Sequence, residues 1–184
     1  MVQPGDRELI FGTGDVDDAE DAEIILHELG HAIQDAICPD FGQKDEAMAI
    51  GEGFGDYFAA SFFASRKPSA MRDGVMSWDA LKEADGKMPF LRLMTDRRTF
   101  AAFKKNGDEH DNGSIWAATL WDIWRAVGRD VADRIVIEGH FQLDAFTTFA
   151  RAGRAILDAD RNLFRGAHVR RLAKILRARR IGPL

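Results

Sequence analysis

ILHELGHAIQ, residues 25–34, sets two histidines four positions apart with a glutamate directly after the first. Its surroundings mark it as helical. Ile24, Ile25, Leu29, Ala32, Ile33 and Ala36 recur at helical spacing, the acidic run DVDDAEDAE (15–23) suits the positive end of a helix, and Pro39 stops it. The spacing predicts a helix over 18–37. On such a helix residues four apart stand one turn apart, about 5–6 Å between Cβ atoms, so His27 and His31 can share one ion. Glu28 then sits beside that ion without ligating it.

A catalytic zinc site takes three protein ligands and leaves a fourth position for water. GEGFGDYFAAS (51–61) supplies the third candidate in Glu52, on a second predicted helix over 44–65. Twenty residues separate it from His31, enough to turn the chain and bring the second helix past the first. Asp56 lies one helical turn after Glu52, where a carboxylate can accept the outer N–H of a ligating histidine. An ordinary acidic helix face would account for the two carboxylates. It would not account for Gly51, Gly53 and Gly55, each costing about 1 kcal/mol relative to alanine in a helix interior. Three glycines in five residues predict the close approach of another backbone or of a site.

The rest of the chain bounds the reading. Its 184 residues and 46% apolar content suit one domain, with zinc-site helices in 1–66, an irregular substrate-side segment in 67–112 and a helical lobe in 113–184. LIFGTG (9–14) reads as a short strand and glycine turn. Helices are expected at 113–127, 130–139, 145–158 and 167–180, making the fold mainly α with little β. No apolar run reaches membrane-spanning length, and MVQPGDRELI lacks the basic start and apolar middle of a signal peptide. Cys38 is the only cysteine, so no intrachain disulfide forms, and without a base beside it the thiol is no nucleophile candidate. Net charge is −5 but segregated: Asp6 to Asp56 holds fifteen acids and two bases, and the stretch from Arg165 onward holds seven bases and no acid. With Val169, Leu172, Ile175 and Leu176 on one side, that basic end reads as a helix docked on a core. No aromatic platform or motif for nucleic acid accompanies it.

HELGH followed by EGFGD resembles the zinc peptidases of the thermolysin and fungalysin group, fungalysin more closely. LIFGTGD, FLRLMTD (90–96), EHDNGSIWAATLWDI (109–123), ARAGRAILDAD (150–160) and the closing RARRIG fit in order, so the similarity spans about 9–182. It implies zincin-like catalytic helices plus the helical C-terminal lobe of a thermolysin-like peptidase, with most of the upper β lobe missing. It implies His27, His31 and Glu52 as ligands of one catalytic zinc, Glu28 as general base and Asp56 as partner of a ligand histidine. His110 would stabilise the oxyanion and Arg92 would bind a carbonyl after the scissile bond. Leu91 and Ile24 would line the pocket for the following side chain. His140 and His168 match no family site and read as structural. The implied activity is zinc-dependent endopeptidase, acting on peptide or protein substrates and secreted, with a missing N-terminal lobe or second subunit as a further partner.

The sequence departs from the pattern in places. Gln43 stands where the thermolysin pattern has a tyrosine, and Phe63 falls where a calcium-cage carboxylate is expected, so calcium is not expected. A zinc aminopeptidase is a rival, since such enzymes combine H-E-x-x-H with an EGF-type segment, at a spacing about two residues shorter and without an equivalent of Asp56. A weakly active or non-catalytic zinc-binding lobe is the other.

Overall fold

The computed structural model describes residues 9–13, 17–80 and 89–182. Among them six α-helices carry the architecture: α1 (Ala22–Ile37), α2 (Asp45–Phe63), α3 (Glu109–Val127), α4 (Arg129–His140), α5 (Phe149–Phe164) and α6 (Val169–Ala178). Two short strands, β1 (Gly74–Val75) and β2 (Arg92–Leu93), pair antiparallel with Val75 opposite Arg92. None of these helices is long and apolar enough to cross a membrane.

α2 is the centre. Ile50, Phe54, Tyr57, Ala59 and Ala60 are buried around its circumference, as befits a helix covered on several sides. It packs chiefly on α1 and α3. A Cβ built on Gly53 would lie 2.5 Å from the Gly113 carbonyl oxygen and 2.8 Å from the Ala117 nitrogen, so this glycine is what lets α2 and α3 cross in backbone contact. Ile115, Trp116, Leu120 and Ile123 of α3 complete the core with Ile135, Phe149, Ile156, Leu172 and Leu176 from the later helices.

The buried face of α1 is polar. Glu23, His27, Gly30 and Gln34 point inward, while Ile25 and Leu29 of the apolar stripe are more than a third exposed. Each inward polar group has a partner. Glu23 accepts from the Met76 amide at 2.8 Å and pairs with Lys67. Gln34 Nε2 lies 3.0 Å from His140 Nε2, whose Nδ1 donates to the Val136 carbonyl at 2.7 Å. Apolar periodicity located this helix but not the side it buries.

Element boundaries differ from expectation where a cap decides them. α1 starts at Ala22, after a 3₁₀ turn over Asp18–Glu20, because Asp21 is extended and accepts from the Glu23 amide at 2.8 Å. Asp21 also receives the Trp78 and Asp79 amides at 3.1 Å. α3 starts at Glu109, because Asp108 accepts from the Asp111 amide at 2.7 Å. α5 runs Phe149–Phe164, later than 145–158, because Asp144 and Thr147 form a turn and Thr148 caps. Of the expected strand over 9–14, Leu9 makes a single bridge and 10–13 are irregular, closed onto Asp18 through the Gly12 amide; Gly14 lies outside the described residues. His168 and Arg179 both serve packing. His168 meets buried Asp160 at 2.7 Å, and Arg179 ties Asp122 to the Asp96 and Arg98 carbonyls.

Candidate metal centre and active site

His27 and His31 rise from successive turns of α1 toward Glu52 on α2. The two Nε2 atoms are 3.0 Å apart, and Glu52 lies 3.2 Å from His27 Nε2 and 3.4 Å from His31 Nε2. Donor atoms in a tetrahedral shell with bonds of about 2.0–2.1 Å are roughly 3.3 Å apart, so this trio has the spacing of a zinc ligand set. Chemistry supports the fit. His27 Nδ1 donates to Asp56 Oδ1 at 3.0 Å, which turns the lone pair of Nε2 toward its neighbours. Glu52 Oε2 is buried, and although the His27 and His110 Nε2 atoms each lie 3.2 Å away, neither forms a hydrogen bond with it. Converging lone pairs and a buried carboxylate oxygen call for a cation.

Electrostatics agree. Burial disfavours charge on His27, yet Asp56 and Glu52 outweigh it and raise its pKa from 6.5 to about 10. Burial likewise opposes charge on Glu52, but His27 and His31 hold the carboxylate well below its usual range. Without metal the trio therefore gathers a proton where a cation would sit. The glycines of α2 make room for this: a Cβ on Gly55 would lie 2.7 Å from His27 Nδ1.

Around the trio the structure brings together most of the other residues singled out in the sequence. Glu28 borders the same cavity, about 480 Å3, as His27, His31 and Glu52. His110, in the first turn of α3 and not in a loop, reaches it too, with Nε2 3.2 Å from Glu52 Oε2. Arg92, on β2, lies 3.8 Å from Asp56, so it shares the carboxylate that orients His27. Leu91, Arg92 and His110 border a second cavity of about 370 Å3. Ile24 is half-buried on α1 against the core and does not border that cavity. Sequence reasoning passed over Asp35, Phe41, Met48 and Glu109, which border the larger cavity. Asp35 carried a signal, standing one helical turn after His31.

Residues 13–127 match the family model described as Fungalysin metallopeptidase (M36). The chain belongs to the fungalysin metallopeptidase family. It is 26% identical to extracellular metalloproteinase 2 of Arthroderma otae, with 88% of this chain and 30% of that protein aligned. It is 25% identical to extracellular metalloproteinase 2 of Trichophyton tonsurans over the same shares. Extracellular metalloproteinase 1 of Arthroderma gypseum is also 25% identical, with 90% of this chain and 31% of that protein aligned. This fungalysin-family chain thus spans about 30% of the length of the curated relatives it matches. The family match runs from the loop before α1 to the end of α3 and so includes every residue of the candidate centre.

Proposed function

We propose that this chain carries the catalytic centre of a zinc-dependent endopeptidase, with His27, His31 and Glu52 as the zinc ligands. The observation behind it is the convergence of these donors at 3.0–3.4 Å inside an open cavity that Glu28 also borders. A zinc ion bound there supplies Lewis acidity and brings water toward deprotonation near neutral pH. Glu28 accepts the proton of the attacking water on its carboxylate and returns it to the leaving amine. His110 Nε2 donates a hydrogen bond to the oxygen that gains charge, a donor type whose loss costs about 2.7–4 kcal/mol. Arg92, steadied by Asp56, binds a carbonyl after the scissile bond, and Leu91 borders the space for the next side chain.

A second cavity at Leu91 and Arg92 shares His110 with the one around the centre, which favours a substrate that passes through, as an endopeptidase requires, over one held by its N-terminus. Exposed Ile25 and Leu29 on the outer face of α1, and the 30% share of its relatives' length, support further protein covering that face in the working enzyme. An upper lobe or second subunit would supply the sheet edge along which extended peptides bind. Secretion is proposed from the extracellular relatives. The test is metal analysis of the purified chain together with cleavage of internally quenched peptides, free or N-terminally blocked. The reading expects one zinc per chain and cleavage that tolerates the block. Absence of zinc binding, or cleavage only of unblocked peptides, would reject it.

A further inference from the structure

The cleft differs in charge from one end to the other. Along α2, Met48 lies one turn before Glu52 and Asp56 one turn after it, so Met48 and the Arg92–Asp56 contact mark opposite ends. At the Met48 end the 480 Å3 cavity is bordered by Phe41 and Met48 together with the carboxylates of Asp35 and Glu109, and among the described residues no lysine or arginine borders it. Its volume falls within the roughly 300–1,000 Å3 of ligand pockets. Asp35 follows His31 by one turn, and Glu109 opens α3 one residue before His110. Among the described residues neither carboxylate has a lysine or arginine within ion-pair distance. What distinguishes this from an acidic surface patch is that the carboxylates and the apolar walls share one cavity with the metal ligands.

We infer that this arm of the cleft is a specificity subsite for a lysine or arginine side chain of the substrate, on the N-terminal side of the scissile bond. The inference rests on the endopeptidase reading, in which Arg92 marks the side after that bond. Phe41 and Met48 would lie along the methylene stem of the basic side chain, and Asp35 and Glu109 would receive its charged end. A neutral isostere leaves those carboxylates without a cation, and an acidic side chain is repelled.

The experiment uses internally quenched peptides that differ only in carrying lysine, norleucine or glutamate at the first, second or third position before the cleaved bond. With zinc-loaded protein, kcat/KM for lysine should exceed norleucine by about tenfold at one position, as for a charged hydrogen bond, with glutamate poorest. The lysine preference should shrink with added salt and fall about threefold or more in Asp35→Asn or Glu109→Gln. A second readout needs no turnover: fluorescence anisotropy of the same peptides on Glu28→Gln protein should give the same order of affinities. No cleavage of any peptide, with lysine still preferred in binding, would reject the endopeptidase reading and support the subsite. Equal treatment of the three peptides in both readouts, or a preference unchanged in both variants, would overturn the inference.

Discussion

His27 Nδ1 lies 3.0 Å from Asp56 Oδ1, a buried contact between α1 and α2 that spans 29 positions of chain. It fixes which nitrogen of His27 faces His31 and Glu52. Asp56→Ala is expected to weaken zinc binding by about 10- to 100-fold, the usual effect of removing such a partner. Asp56→Asn keeps an acceptor of the same shape and should lose less. Competition with a chelator measures both, and an unchanged affinity in the alanine variant would detach Asp56 from the metal site.

Glu52 should behave as a ligand. Glu52→Gln keeps the volume and removes the charge between the two histidines, so zinc should be lost or bound far more weakly. Full occupancy by elemental analysis, at unaltered affinity, would take Glu52 out of the ligand set.

Glu28 and His110 should separate binding from turnover. Glu28→Gln should retain zinc while hydrolysis falls by orders of magnitude. His110→Ala should retain zinc and lose about 100- to 1,000-fold in kcat. Near-normal kcat in the His110 variant would place that imidazole outside the reaction, whatever its proximity to Glu52.

Two glycines of α2 should fail differently. Gly53→Ala drives a methyl into the Gly113 carbonyl, 2.5 Å away, and should destabilise the fold by more than the 1–3 kcal/mol typical of overpacking. Gly55→Ala meets the His27 ring at 2.7 Å, so it should weaken zinc binding as well as stability. Denaturant titration and metal affinity on both variants give the comparison; a Gly55 variant with intact affinity would refute the coupling.

His140 predicts an acid limb in stability. Burial pulls its pKa from 6.5 down to about 4, only partly offset by the Val136 carbonyl. The unfolded chain therefore binds the extra proton between 6.5 and about 4, and stability falls as pH drops through that window, by up to about 3 kcal/mol. His27 acts elsewhere: in metal-free protein its raised pKa adds stability below 6.5 that is lost as pH climbs toward about 10. Replacing His140 with glutamine should flatten the slope between pH 6.5 and 4 in denaturant titrations of the metal-free protein. An identical slope in both proteins would exclude His140 as its source.

How much the sequence revealed depended on how local the cause was. His27 and His31 are a helical turn apart, and the glycines around Glu52 announced close packing, so both could be read directly. Helix starts were less legible because several candidate caps compete. Asp15, Asp17, Asp18 and Asp21 all precede α1, and the choice of Asp21 is tied to the amides of Trp78 and Asp79, almost sixty positions away. The inward face of α1 is not legible in the sequence for a related reason. Gln34 is tolerable inside only because His140, 106 positions on, receives it, and no periodicity reports such a partner.

That polar inner face has a mechanical consequence. An apolar seam could slide or rotate at modest cost, since one methyl replaces another. On α1, a slip of one turn, about 5.4 Å, would break the Glu23–Met76, His27–Asp56 and Gln34–His140 contacts together. The helix is keyed at three depths along its length, so the registration of the histidines does not depend on whatever lies against its outer side. Ile25 and Leu29 can be left bare or covered while the spacing of the donors stays set from within.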